Sequence, residues 1–119
     1  MIPKSTMTAP SIDTKVALQR LNGNTQLLLK LASFFLEDAP QYLDELHDGL
    51  RQKSAKQITE SAHRLRGLAS PFEANPVMEL TAEIERLSGV GASVRLQQLA
   101  TQLDTEFERL IQSLRKLNP

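Results

Sequence analysis

The sequence predicts an all-α protein, an antiparallel four-helix bundle with a short extra helix at its N-terminal end. Apolar residues recur at steps of three and four through most of the 119 residues, and no alternating strand pattern competes with them. Hydrophobic residues make up 40% of the chain but aromatic residues only 4%, so the core must be mainly aliphatic. Four long amphipathic segments joined by short connections favour an antiparallel bundle.

The N-terminal half carries two predicted helices. A short first helix spans about Asp13 to Leu21, and Asn22-Gly23-Asn24 ends it by turn chemistry. The second helix begins near Thr25 and contains Pro40, which should kink the helix or split it in two. The predicted core stripe of this second segment is Leu28, Ala32, Phe35, Ala39, Tyr42 or Leu43, Leu46 and Leu50.

Three more helices are predicted in the C-terminal half. The third has Ser54 as its N-cap and should weaken or finish at Pro71. Asn75-Pro76 reads as the N-cap and first-turn proline of the fourth, which Gly89-Val90-Gly91 ends, and a long fifth helix follows. The core residues predicted for these segments are Ala55, Ile58, Ala62, Leu65, Ala69 and Phe72, then Val77, Leu80, Ile84 and Leu87, then Leu96, Leu99, Leu103, Phe107, Leu110, Leu114 and Leu117.

Composition excludes several classes of function. The chain has 14 basic and 14 acidic residues, which argues against nucleic acid as the main partner, and it has no cysteine for disulfides, thiolate metal sites or cysteine nucleophiles. No apolar run approaches the length of a membrane span. We therefore expect a cytoplasmic protein, with residues 1–11 as a flexible tail and residues 12–119 as the bundle.

The third predicted helix carries the residues that point to chemistry. His63 follows the core residue Ala62 and should lie about 135° from the centre of the core stripe, facing water on a rigid helix. An exposed neutral imidazole can act as a nucleophile and form a covalent phosphoryl intermediate. Arg66, three residues on, can reach that added charge. Gly67 is costly inside a helix, which suggests that a partner comes close to the backbone there.

These residues resemble a known family. The run Ala62-His63-Arg64-Leu65-Arg66-Gly67 is similar to the signature of histidine-containing phosphotransfer (HPt) domains, which is Ala-His, any residue, an apolar residue, Lys or Arg, and Gly. The resemblance extends over roughly Ile12 to Leu114. Three positions depart from the family pattern after the motif and leave the end of the third helix open: Leu68 replaces a small residue, Glu73 replaces a glycine, and Pro71 is unusual.

The resemblance implies a phosphorelay intermediate that is not itself an enzyme and has no ATP site. His63 would accept the phosphoryl group, Arg66 would help hold its oxygens, Gly67 would leave room for docking, and Arg64 is a further candidate for phosphate support or docking. The implied partners are the receiver domains of a hybrid histidine kinase and of a response regulator, with Mg²⁺ supplied by the receiver, no cofactor of the protein's own and a monomeric state.

Two other functions can be weighed against the phosphorelay role. A non-catalytic adaptor could bind a receiver or a partner helix, because the second helix has more apolar residues than one stripe needs: Leu27, Leu31 and Phe34 lie on one flank, Leu29 and Leu36 on the other. A metal-dependent or hydrolytic enzyme has no support, since no ligand cluster or nucleophile–base pair stands at recognisable spacing. His47 reads as an ordinary surface histidine and Glu60 as a solvated acid.

Overall fold

A computed structural model describes residues 10–117 of the chain. The predicted all-α architecture is confirmed: this range contains five α-helices and a single 3₁₀ turn, and no strand is found within it. Residues 1–9 of the predicted tail lie outside the described residues, whereas Ser11 is buried and its hydroxyl contacts that of Ser113. The elements are α1 (Thr14–Arg20), α2 (Thr25–Gln52), α3 (Ala55–Ala69), the 3₁₀ turn (Ser70–Phe72), α4 (Asn75–Leu87) and α5 (Ser93–Leu117).

The long helices α2 to α5 close a bundle. Each of them packs against the next in the chain, and α5 also packs against α2. Contacts between successive helices join the end of one to the start of the next, as between Gly49 and Ile58, so neighbouring helices run antiparallel. The core is almost entirely aliphatic, with Phe35 packed against Phe72 and Phe107 at its centre.

Short polar side chains set the starts of the first three helices. Asp13, Asn24 and Ser54 each accept a hydrogen bond from the backbone N–H three residues on, at 3.1, 3.0 and 3.2 Å. Each bond satisfies one of the N–H groups that a helix leaves unpaired at its first turn. The predicted cap at Ser54 is confirmed, and it fixes where the helix that carries His63 begins.

Pro40 does not split the second helix. One continuous helix runs from Thr25 to Gln52, with Pro40 on its exposed face. The buried residues Phe35, Ala39 and Leu46 hold the segments on both sides of the proline to one core. The proline removes one hydrogen bond from the helix, and the packing on both sides of it keeps the helix continuous.

Two predictions at the ends of other helices are wrong by about a turn or less. Asn75 is the first residue of α4 rather than its N-cap; Ala74 holds the cap position and makes no side-chain hydrogen bond, while Pro76 lies in the first turn as predicted. Ala55 is exposed, because the first residue of α3 lies beyond the edge of the core that Ile58 begins.

The residues that follow the motif form a 3₁₀ turn that contacts the first helix. Helix α3 ends at Ala69, and Pro71 lies in the 3₁₀ turn that follows. Glu73 adopts φ 51°, a left-handed conformation that favours glycine, and its carboxylate pairs with Arg20 of α1. The backbone N–H of Asp13 donates to the carbonyl of Phe72 at 2.9 Å. These contacts hold α1 across the end of the bundle.

Candidate functional site

His63 stands on the outer face of α3, and its side chain is 67% exposed. The adjacent Ala62 and the nearby Leu65 are fully buried, so the backbone beneath the imidazole is fixed by the core. An exposed ring on an immobile helix can be approached by a macromolecular partner while keeping a defined position.

A carboxylate from the next helix contacts the imidazole. The Oε2 atom of Glu85 on α4 lies 3.1 Å from Nδ1 of His63, and its Oε1 atom lies 2.9 Å from Nη2 of Arg66. The same Nη2 atom is 3.1 Å from Nδ1 of His63. The three side chains thus form one triangle on the surface between α3 and α4.

The contacts at Nδ1 depend on the tautomer of the ring. An ionised carboxylate only accepts hydrogen bonds and a guanidinium only donates them, so Nδ1 cannot serve both at once. Arg66 already has the carboxylate of Glu85 as an acceptor. A ring that carries its proton on Nδ1 donates to Glu85 and leaves Nε2 with a free lone pair.

Contacts of Ser88, three residues after Glu85, help to position Glu85 beside His63. The hydroxyl of Ser88, the residue that follows α4, contacts that of Thr59 on α3 and donates to the backbone carbonyl of Glu85 at 3.0 Å. This pairing sets the register between α3 and α4 close to His63. Glu85 is consequently only 20% exposed, although its carboxylate serves an exposed site.

Arg64 lies on the opposite flank of α3 from Arg66. Its Nη1 atom donates to the hydroxyl of Tyr42 on α2 at 3.3 Å, and its Cζ atom is 5.3 Å from the centre of the Tyr42 ring. The structure therefore brings Arg66 to His63 and places Arg64 towards α2. Of the two arginines singled out from the sequence, Arg66 contacts the imidazole of His63 and Arg64 contacts Tyr42.

Gly67 exposes the backbone of α3 between the flank that carries Arg64 and the flank that carries Arg66. A methyl group built at Gly67 meets no other atom within 4 Å, and its φ is not left-handed. Neither packing within the protein nor backbone conformation therefore requires glycine at this position.

The remaining candidates lie elsewhere. His47 pairs with Asp104 at 2.7 Å and ties α2 to α5, which is more than the surface role predicted for it. Glu60 pairs with Lys56 at 3.0 Å. No group of three or more histidine and acidic side chains that could hold a metal ion occurs in residues 10–117.

Sequence reasoning did not single out Glu85 as a site residue. Its place beside the core residue Ile84 shows that it is on a flank of α4, but periodicity does not say which residue of α3 it meets. Only the pairing of the two helices joins it to His63. The feature of the sequence that could have pointed to Glu85 is that it is an acidic residue on α4, the helix that follows the one carrying His63.

Comparisons with known proteins show the family and the fold of the chain. The family model of the Hpt domain matches residues 30–113, and the chain belongs to this family, whose members take part in histidine phosphotransfer. No curated protein matches the sequence significantly. Among solved structures, the chain is similar to histidine-containing phosphotransfer protein B (HptB) from Pseudomonas aeruginosa PAO1, with a TM-score of 0.81 and 23% sequence identity over 92% of this chain and 95% of that one. This likeness supports the helical bundle fold.

Proposed function

We propose that this protein is a phosphorelay intermediate that carries a phosphoryl group on His63 between the aspartates of two receiver domains. The observation that carries the proposal is the triangle of His63, Arg66 and Glu85 on an exposed face, next to the open backbone of Gly67. It combines a nucleophile, a cation for the phosphoryl oxygens and room for a partner.

The proposed step is a reversible displacement at phosphorus. The Nε2 lone pair of His63 attacks the aspartyl phosphate of the donor; the N–P bond forms, the P–O bond to the aspartate breaks, and its electron pair stays on the released carboxylate. The proton on Nδ1 remains with the ring, held by Glu85. Arg66 lies close enough to turn from Glu85 to the phosphoryl oxygens, and phosphoryl transfer depends mainly on such positioning and charge neutralisation.

The other parts of the proposal follow from this role. The protein would be a phosphocarrier without kinase activity, because ATP chemistry would belong to the upstream kinase. Mg²⁺ would be bound by the receiver domain rather than by this chain. We further propose a monomer in the cytoplasm; no helix in the described range is long and apolar enough to cross a membrane.

Transfer from a phosphorylated receiver tests the proposal. The full chain should acquire acid-labile phosphate from a phosphorylated receiver domain in the presence of Mg²⁺, and His63→Gln should abolish the labelling. His47→Gln is the matched control, since His47 is paired with Asp104 away from α3, and this variant should be labelled normally. Labelling that persists in His63→Gln would remove His63 from the mechanism.

One observation favours an adaptor as a second candidate function. Two large apolar side chains of α2 remain partly exposed, Leu27 at 37% and Phe34 at 46%. An adaptor would bind a receiver through such a surface without transferring phosphate. Binding that survives His63→Gln, together with no labelling of the wild-type protein by any receiver, would establish the adaptor instead.

A further inference from the structure

Arg64 is held in a fixed orientation by an aromatic side chain of the neighbouring helix. Its guanidinium lies 5.3 Å from the centre of the Tyr42 ring and donates to the Tyr42 hydroxyl at 3.3 Å. A cation over an aromatic face is attracted by the electrons of the ring. The long arginine side chain has therefore lost part of its freedom before any partner arrives.

This guanidinium has unused donors. Within the described range, Arg20, Arg51, Arg66, Arg86 and Arg109 each pair with a carboxylate, whereas Arg64 has only the Tyr42 contact. A guanidinium offers five N–H donors in a planar fork that fits a carboxylate. Arg64 is thus an exposed cation, oriented in advance and without an internal acidic partner.

Arg64 lies next to the proposed phosphotransfer residue, His63, on the same helix. His63 and Arg64 are successive residues on two flanks of α3, and Gly67 lies on the ridge between them. A partner close enough to Gly67 to reach His63 must also cover the flank that carries Arg64. Because Arg66 is committed to Glu85 and His63 on the other flank, Arg64 is the cation left to contact the partner rather than the phosphoryl group.

We propose that Arg64, oriented by Tyr42, selects the partner by pairing with a carboxylate on the docked receiver domain, outside the phosphoryl-transfer centre. This inference rests on the function proposed above. Receivers with an acidic side chain opposite Arg64 dock productively, and those with a basic side chain there are rejected by like-charge repulsion. Arg64 is a specificity residue and takes no part in the chemical step.

The test compares rates of phosphotransfer across a panel of receiver domains. For a preferred receiver, Arg64→Ala should lower kcat/KM about five- to tenfold through a higher KM at unchanged kcat, and should weaken the dependence of the rate on salt. Arg64→Glu should lower it further, and an acid-to-lysine change at the facing position of the receiver should restore it. Tyr42→Leu should have a smaller effect of the same kind.

Controls separate this inference from the function on which it rests. Arg95→Ala removes an exposed arginine from α5 and should leave every rate unchanged. If the wild-type protein receives phosphate from no receiver, both the carrier function and the role of Arg64 are overturned. If the wild type is phosphorylated but both Arg64 variants keep its rates, salt dependence and order of preference among receivers, the inference about Arg64 fails and the carrier function stands.

Discussion

Replacing Gly67 with alanine should make the protein more stable and a poorer phosphotransfer partner at once. Glycine in a helix interior costs about 1 kcal/mol relative to alanine, because its backbone has more freedom to lose on folding. The added methyl group would meet no atom within 4 Å, and the backbone conformation already suits an L-residue. We therefore expect the free energy of unfolding to rise by about 1 kcal/mol and Tm by about 4 °C.

The same methyl group should weaken docking. If a receiver packs directly on the backbone at Gly67, an added side chain forces the two surfaces apart, and overpacking of this kind costs about 1–3 kcal/mol. That cost corresponds to a fall of about five- to 150-fold in kcat/KM. Gly67→Gln should lower it further, because the larger side chain cannot be accommodated by a small shift.

Thermal unfolding by circular dichroism and phosphotransfer kinetics measure the two effects on the same samples. Thr101→Gln is the control, since it places the same glutamine side chain at an exposed position of α5, which packs against α2 and α4. Because Gly67→Ala is expected to be the more stable protein, its loss of transfer cannot come from unfolding. Wild-type kcat/KM in Gly67→Gln would refute the close-approach explanation for this glycine.

Three further changes give distinct outcomes. Gly49→Ala should lower the free energy of unfolding by up to about 2 kcal/mol in urea titrations, because its new Cβ would lie 3.1 Å from Ile58 Cγ1 and 3.2 Å from the Ile58 backbone nitrogen, and this overpacking outweighs the gain of about 1 kcal/mol from replacing a helical glycine; an unchanged or higher midpoint would show that α2 and α3 separate easily. Glu85→Gln should shift the phosphoryl equilibrium towards the receiver by about fivefold, because the carboxylate 3.1 Å from Nδ1 stabilises, by about 1 kcal/mol at the surface, the positive charge that the ring gains when Nε2 takes the phosphoryl group; an equilibrium that is unchanged or shifted towards phosphorylated His63 would contradict this. Hydrogen bonds hold the pKa of Asp48 below its usual value, the largest effect coming from a glutamine amide of α3 and the next from an arginine of α2. The stability that Asp48 contributes is therefore present above the unfolded-state pKa of about 4 and is lost as the pH falls through the lower folded-state pKa. Urea titrations from pH 7 to pH 3 should therefore show a smaller loss of stability for Asp48→Asn than for the wild type, and parallel curves would rule out this source of acid sensitivity.

Local chemistry explains why so much of the fold could be predicted. The steps of three and four residues define the buried face of each helix, and the short polar caps at Asp13 and Ser54 define where two of the helices start. Where these signals are weak, the predicted start of a helix is off by one residue. Asn75 is predicted as the N-cap of α4 but is its first residue, because a proline is tolerated at more than one position of a first turn and Pro76 does not fix the start. At Pro40 the sequence leaves a kink and a split open, and the split does not occur because the core on both sides of the proline keeps α2 continuous.

The sequence by itself determined the candidate nucleophile and its exposure. The core stripe of α3 turns His63 outward, and the motif through Gly67 identifies the family whose model the chain matches. These features depend on residues within one turn or two of each other, so the periodicity of a single helix is enough to place them.

Only the tertiary structure decided which groups surround that imidazole. Glu85 reaches His63 because α4 packs on α3 in one register, and Arg64 turns to Tyr42 because α2 packs on the other side. The register between two helices depends on how their side chains fit together across the interface, and the period of either sequence alone leaves that fit undefined.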